Sequence, residues 1–447
     1  MKRVIIKMRS TQTNKVVLLS GATGFLGKVV LFELIRRREE LGLDRVLLLI
    51  RKKRDVSTLD RFKKDIRDSR CFANLDPEWA NCVDAVDCDL EEAGMGLTTA
   101  KQRFLAERIT HIIHCAASVD FELPLPLAAS SNITASLNVL GFAKKCKNLQ
   151  SMVSVSTAYV TPHSGKDEPI IPKLVPLPED PVKIYNKLVS GSERLEELVK
   201  RSGHPNSYTF TKCVAEHLLV RYREDVPLRI VRPSIISASE LYPERGWLDS
   251  KAAFAGFVAL VGAGRLNILR ANPNTRLDIV PCDWVATRVV DSAFAGAHTG
   301  TEVPISHAVM GANNSCTVQR CADIVLDYFE DQNVDKRPGL HYIGKNFVRA
   351  WSYDLCLHRI PGAMSALVLR VMGDKRPLSR LKRLRDAQSY LLRAFYYFTT
   401  HTLDFVDTER ETDGDYDSAD YILAVAQGVA RNILKSEPRG ASPFPSF

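Results

Sequence analysis

Tyr208 and Lys212 form the sole Tyr-x-x-x-Lys in this 447-residue sequence. On a helix, that spacing puts the phenol and the ammonium on one face. An ammonium held there favours the phenolate by Coulomb attraction, lowering the phenol toward the range of an acid/base catalyst. One such pair is within chance for a chain of this composition, so its place in the sequence matters more than its existence. It follows Ser156-Thr157-Ala158-Tyr159 and precedes Arg232-Pro233-Ser234. Thr157 is the hydroxyl expected to hold a substrate carbonyl oxygen beside Tyr208. Ser156 is its competitor, because neighbours on a strand face opposite ways and only one can point into a site. A plain strand-end hydroxyl is the bland alternative for either.

The elements that must position these groups begin with residues 16–36. VVLLS is a short apolar run, GATGFLG a tight turn and KVVLFELIR an amphipathic helix. This is the first βα unit of a dinucleotide-binding fold: Gly21 for the turn, Gly24 for backbone approach to a pyrophosphate, Gly27 for close packing of helix on strand. Thr23, Phe25 and Leu26 share that turn and join the candidate cofactor contacts. The spacing is G-x-x-G-x-x-G, that of the short-chain reductase type of Rossmann domain.

A second strand, residues 46–50, ends at Arg51, about where an acidic residue would bind the ribose of NAD. Arg51, backed by Lys52 and Lys53, suits a 2′-phosphate instead, so NADPH is expected over NAD. A basic loop capping a strand is the alternative. Residues 57–81 are charged and helical in period. A third strand ends at Asp89-Leu90, where Asp89 would accept from the adenine amino group. The fourth, residues 110–115, runs into Ala116-Ala117-Ser118, small residues against which a cofactor can lie. His114 reads as a buried core histidine and not as an acid. A helix is expected over 127–147, a fifth strand over 150–156, a loop over 161–181, a helix over 182–202 and another from about Pro205. Pro233, after a sixth strand, would lie against the nicotinamide, and Lys212 would also reach the cofactor ribose. The alternation gives an α/β, doubly wound parallel sheet.

Composition bounds the rest. At 45% apolar residues the chain can bury a large core. Ten cysteines without a C-x-x-C pair read as reduced, mostly buried thiols, and no zinc or other metal site is expected. The net charge is +9, and residues 1–70 carry 19 Lys or Arg against 8 Asp or Glu. That field would steer a polyanionic cofactor or coenzyme-linked substrate. Nucleic acid is set aside for want of a helix-turn-helix, zinc-finger or RNA-recognition signature. The N-terminus has no run long enough for a secretory signal. The longest uncharged apolar stretch, 252–264, suits a core or interfacial helix, leaving peripheral membrane contact open.

The sequence resembles the fatty acyl-CoA reductases, extended short-chain reductases that make fatty alcohols. The resemblance runs from about residue 15 to 437 and is carried by SGATGFLG (20–27), HCAASVDF (114–121), VSTAYV (155–160), YTFTKCVAE (208–216), IVRPSI (230–235), GW (246–247) and LDIVPCDWV (277–285). HRIPGAMSALVLRVMG (358–373) and YYFTTHTLDFVDTE (396–409) resemble that family's C-terminal domain. The resemblance implies a Rossmann domain with substrate-binding insertions over 11–345 and a mainly helical domain over 346–447. It implies a fatty acyl-CoA substrate, NADPH as cofactor, and reduction through an aldehyde to a primary alcohol. The apolar stretch 252–269 and the C-terminal helices would line an acyl tunnel. Ser20 replaces the family's usual Thr, and an apolar anchoring tail is not seen, so the location is expected to be cytoplasmic or peripheral on an organelle membrane. Three other readings stay open: an enzyme that stops at the aldehyde, one acting on another carbonyl such as a sugar nucleotide or sterol, and a nucleotide-binding scaffold without turnover.

Overall fold

The computed structural model describes residues 14–53, 55–165, 168–192, 195–266, 268–296, 301–332, 341–342, 386, 388–407 and 416–435. Strand β1 (Lys15–Ser20) divides its side chains between two cores, Val17 and Leu19 on one face and Leu18 on the other. In β2 (Leu43–Ile50), Val46, Leu48 and Ile50 fill one core, Leu47 and Leu49 the other. A strand covered on both faces reads as an unbroken apolar run, which is why these two stand out in the sequence. With β3 (Val83–Asp87), β4 (His111–His114), β5 (Ser151–Val155), β6 (Leu228–Pro233) and β7 (Ile305–Ala308) they form one sheet. Its order is β7-β6-β5-β4-β1-β2-β3 and every pairing is parallel. The order reverses between β1 and β4, the switch point at which doubly wound sheets bind ligands.

The helices that bear on the site are α1 (Phe25–Arg36), α2 (Ala135–Ala143), α3 (Pro181–Ser190), α4 (Leu195–Arg201), α5 (Ser207–Tyr222), α6 (Ala253–Gly262), α7 (Cys282–Phe294), α8 (Val318–Asp331) and α9 (Ser418–Val429). Helices α1 and α7 pack together over one face of the sheet, and α2 packs on α5 over the other. Two expected helices come out interrupted. The one predicted over 127–147 opens as Leu125–Ala129, widens to a π turn over Ser130–Thr134 and only then continues as α2. The one predicted over 182–202 is split because Gly191 caps α3 in the left-handed conformation, φ +65°.

A third apolar core joins α6, α8 and α9, with Phe254, Val258, Val325, Tyr421 and Val425 among its buried residues. Tyr421 Oη donates to the Ala238 carbonyl at 2.8 Å, tying α9 to the segment after β6. The expected domain boundary at 345/346 and the segment 358–373 lie outside the described residues. Among the described residues, no helix is long and apolar enough to cross a membrane.

Candidate active site

The crevice opens where β1 and β4 end. Gly21 has φ +80°, and a Cβ on it would lie 2.7 Å from the Ala116 nitrogen, so the turn and the exit of β4 are in contact. A Cβ on Gly27 would lie 2.1 Å from the Gly21 carbonyl oxygen, whereas one on Gly24 would meet only that oxygen, at 3.2 Å. Gly24 caps α1 without a side-chain cap, and the first helical bond is Lys28 N–H to Gly24 O at 3.1 Å. The N–H groups of Phe25, Leu26 and Gly27 precede that bond at the positive end of the helix. A bare backbone cradle of this kind fits a pyrophosphate.

At the adenosine end, Arg51 Nη1 lies 3.2 Å from Glu91 and 4.0 Å from Asp89. Lys52 pairs with Asp87 at 2.8 Å, which raises the lysine and lowers the carboxyl. The basic slot is thus partly matched by acids where β3 ends. Asp89 Oδ1 accepts from the Glu91 N–H at 3.0 Å, and the Leu90 carbonyl accepts from Asn138 at 2.8 Å. The sequence reading passed over Arg61, ten residues beyond Arg51. Its guanidinium donates to Thr23 Oγ1 at 3.1 Å and to the Arg51 carbonyl at 2.6 Å, bridging the phosphate turn and the end of β2. It sits in the charged run 57–81, where one cation looks like any other. His114 is fully buried between Ser20 Oγ (2.8 Å) and Ser136 Oγ (3.1 Å), and burial drives its pKa down to about 3. It is a neutral core histidine, as read from the sequence.

The second group of side chains converges from β5, β6 and α5. Asn206 caps α5 by accepting from the Thr209 N–H at 2.9 Å, which starts the helix just ahead of Tyr208. Thr157, two residues past β5, stands beside the Tyr208 hydroxyl, where its own hydroxyl lowers the phenol, and donates to the Pro233 carbonyl at 3.4 Å. Thr157, Tyr208 and Pro233 are therefore together, while the Ser156 hydroxyl is buried without a hydrogen-bond partner. Lys212 is buried and donates to the Val155 carbonyl at 2.7 Å. The charge effect expected of it is not what dominates the phenol. Burial pushes Tyr208 up to about 12, with only the Thr157 hydroxyl pulling it down. Burial also brings Lys212 down to about 8, against the attraction of Glu216 one turn further on.

Two further residues hold this arrangement. Asn132, in the π turn, donates to Thr211 Oγ1 at 3.0 Å and to the Ser118 carbonyl at 3.2 Å, and it accepts from the Ser118 N–H at 2.8 Å. It ties the exit of β4 to α5, and a π turn at such a place is a recurrent feature of functional sites. Glu216 on α5 meets Arg232 on β6 through paired hydrogen bonds, both side chains buried. No spacing rule in the sequence singles out either.

Beyond Tyr208 lies an apolar pocket with Ile235, Phe254, Phe257, Leu277, Leu391 and Phe398 in its lining. Phe398 meets Phe121 at 5.6 Å, and Phe121 stacks on Tyr208 at 5.8 Å. The aromatic contacts lead from the cavity wall to the phenol.

The profile of the NAD-binding family described as male sterility protein matches residues 19–289, which holds the whole cradle and every candidate side chain from Thr157 to Pro233. Over 95% of this chain, and 86% of the relative, the sequence is 26% identical to fatty acyl-CoA reductase 2 of Homo sapiens. Over 87% of this chain and 75% of the relative it is 28% identical to fatty acyl-CoA reductase 1 of Rattus norvegicus. The chain belongs to the fatty acyl-CoA reductase family. This fatty acyl-CoA reductase family member is accordingly an oxidoreductase with a nicotinamide dinucleotide site. Its fold is shared with the terminal R domain of the myxalamid PKS-NRPS pathway, with a TM-score of 0.66, 19% identity and 95% and 93% of the two chains covered. It is shared too with the reductase domain of a nonribosomal peptide synthetase from Mycobacterium tuberculosis, at a TM-score of 0.59 and 19% identity over 94% and 92% of the chains.

Proposed function

We propose that this protein reduces a long-chain fatty acyl-CoA to the primary alcohol through the aldehyde, with NADPH as reductant. The observation that carries the reading is the junction of the Thr157–Tyr208 hydroxyl pair with an apolar cavity, through Phe121 and Phe398. A polar acid group at the end of an apolar pocket suits a carbonyl borne on a hydrocarbon chain. Gly21, Gly24, Phe25, Leu26 and Gly27 would hold the cofactor pyrophosphate, Thr23 and Arg61 its flank, and Arg51 and Asp89 the adenosine end, with Leu90, Ala116, Lys212 and Pro233 along its length. NADPH, when bound, supplies hydride to the carbonyl carbon. Arg51 and Arg61 favour its 2′-phosphate by charge.

Tyr208 and Thr157, the latter turning its proton from the Pro233 carbonyl, donate hydrogen bonds to the substrate carbonyl oxygen and stabilise the negative charge that develops there. A phenol held near 12 keeps its proton at neutral pH and gives it up only to a strongly basic alkoxide. Lys212 lies one helical turn away, its charge supporting the phenol as the proton leaves. Collapse of the tetrahedral hemithioacetal releases CoA and leaves the aldehyde, which the same groups then serve. Cys115, just past β4, is a poor nucleophile for a thiol-bound acyl intermediate: burial pushes it up to about 12, so its thiolate is scarce.

The described C-terminal residues contribute Leu391 and Phe398 to the cavity wall, in keeping with a substrate-shaping role for residues 346–447. The test is to incubate the protein with palmitoyl-CoA and count NADPH oxidised per CoA released. Two to one is expected; one to one assigns the aldehyde as product, and no turnover rejects the reading.

A further inference from the structure

The irregular segment after β5 walls a second cavity that the carbonyl chemistry leaves unused. Thr161, His163, Ser164 and Lys173 line one side, Thr402 and Asp404 the other. The two sides are joined by backbone. Ile170 N–H donates to Asp404 O at 2.8 Å, Val406 N–H donates to Ile170 O at 3.0 Å, and Ile170 pairs with Phe405 as a short parallel bridge.

The cavity is close to the candidate site. Thr161 is four residues past Thr157 and donates its N–H to the Ala158 carbonyl at 3.3 Å. The His163 N–H donates to Tyr397 Oη at 2.6 Å, and Tyr397 meets Phe398 edge-on at 5.4 Å. From Phe398 the contacts run through Phe121 to Tyr208. The two cavities share no lining residue, yet both border this aromatic cluster.

A thioester of CoA has two arms of opposite character. The acyl arm is hydrocarbon and suits the apolar cavity. The sulfur arm begins as pantetheine, a neutral chain of two amides and hydroxyl groups. The second cavity sets hydroxyls and an imidazole among prolines and aliphatic side chains, and among its described lining residues the one ammonium, Lys173, is matched by the carboxylates Glu168 and Asp404, with Asp404 itself bonded to Arg276. Such a wall suits amides and hydroxyls better than phosphates, which would call for net positive charge.

We propose that this cavity holds the pantetheine arm of the thioester substrate, an assignment that rests on reading the protein as an acyl thioester reductase. The test uses the full chain with NADPH and two substrates, palmitoyl-CoA and the palmitoyl thioester of N-acetylcysteamine, which keeps only the first amide of the arm. Ser164 is exposed, so Ser164→Trp places a ring in the cavity without entering a packed core. The expected result is a KM for palmitoyl-CoA raised about tenfold in the variant, because binding through a remote part of the substrate is lost. The KM for the truncated thioester stays the same in both forms, which also shows that the variant is folded. An equal rise for both thioesters, or no rise for either, overturns the assignment. If the wild-type protein reduces neither, the thioester reading falls first and the cavity assignment with it. Palmitate carried on the phosphopantetheine of a carrier protein is the third substrate. A rise for both assigns the arm common to them, and a rise confined to CoA, which differs only beyond the arm's phosphate, overturns the assignment in favour of the nucleotide.

Discussion

Burial moves Tyr208 and Lys212 in opposite directions for one reason, that each is made less willing to carry charge. Near neutral pH the phenol therefore keeps its proton and the ammonium most of its charge, the state required of an acid with a cationic neighbour. Tyr208→Phe removes the proton and one hydrogen bond to the carbonyl oxygen while leaving the cradle at Gly24 intact. The rate is expected to fall by about 10²- to 10⁴-fold, with NADPH affinity, measured by fluorescence titration, unchanged. Lys212 yields a prediction about stability. Its folded value, about 8, lies below its ordinary 10.5, so the fold resists its protonation. Below pH 8 both states carry the proton and the penalty is present in full. Between 8 and 10.5 the folded state has shed it while the unfolded state has not, and the penalty is relieved. Relative to Lys212→Met, the wild type should gain up to about 3 kcal/mol across that interval. Urea denaturation of both proteins at pH 7 and 10.5 measures it, and a constant difference would remove Lys212 as the source.

At the scale of the element, the phosphate turn separates packing from binding within three glycines. Gly27→Ala drives a methyl group into the Gly21 carbonyl, at 2.1 Å from backbone that cannot swing away. The expected cost sits at the upper end of the roughly 1–3 kcal/mol typical of overpacked sites, with cofactor affinity falling as the turn distorts. Gly24→Ala meets only one atom, at 3.2 Å. It should keep nearly all of its thermal stability yet lose NADPH affinity, because the added methyl stands where a pyrophosphate must approach. Differential scanning fluorimetry with and without NADPH distinguishes the two. The same turn shows why parts of this protein are legible in sequence. Glycine spacing and apolar runs are imposed locally, so β1, the turn and α1 follow from residues 15–36 alone. Tyr208 and Lys212 lie on one helix, so their relation is local too. Asn132, Arg61 and Glu216 act on partners 79, 38 and 16 residues away, and nothing at their own positions announces those partners. The phenol's value escaped for a related reason: desolvation depends on what the folded chain packs around Tyr208, while the Coulomb effect of a lysine at i+4 can be read from spacing.

For the molecule as a whole, the question is what length of hydrocarbon the apolar cavity admits. Its walls come from distant parts of the chain: Ile235 after β6, Phe254 and Phe257 on α6, Val318 and Cys321 on α8, and Leu391 to Thr399 near the C-terminus. All four parts must assemble before the cavity exists, so its length is a property of the tertiary structure. Ile235 is two residues from Pro233, and Phe398 connects through Phe121 to the phenol, which marks the end nearest the chemistry. Cys321 opens onto the same cavity from α8 and is almost fully buried. A phenyl ring in its place consumes room that the chain would otherwise fill. Each methylene denied burial forfeits about 0.8 kcal/mol, so excluding two or three of them from the cavity costs roughly 10- to 50-fold in transition-state binding. Cys321→Phe should therefore lower kcat/KM for palmitoyl-CoA by that factor while octanoyl-CoA, too short to reach the ring, is turned over as before. Parallel losses on both substrates would mean that the ring disturbs the core instead of shortening the cavity, and an unchanged ratio at full stability would place the acyl chain elsewhere.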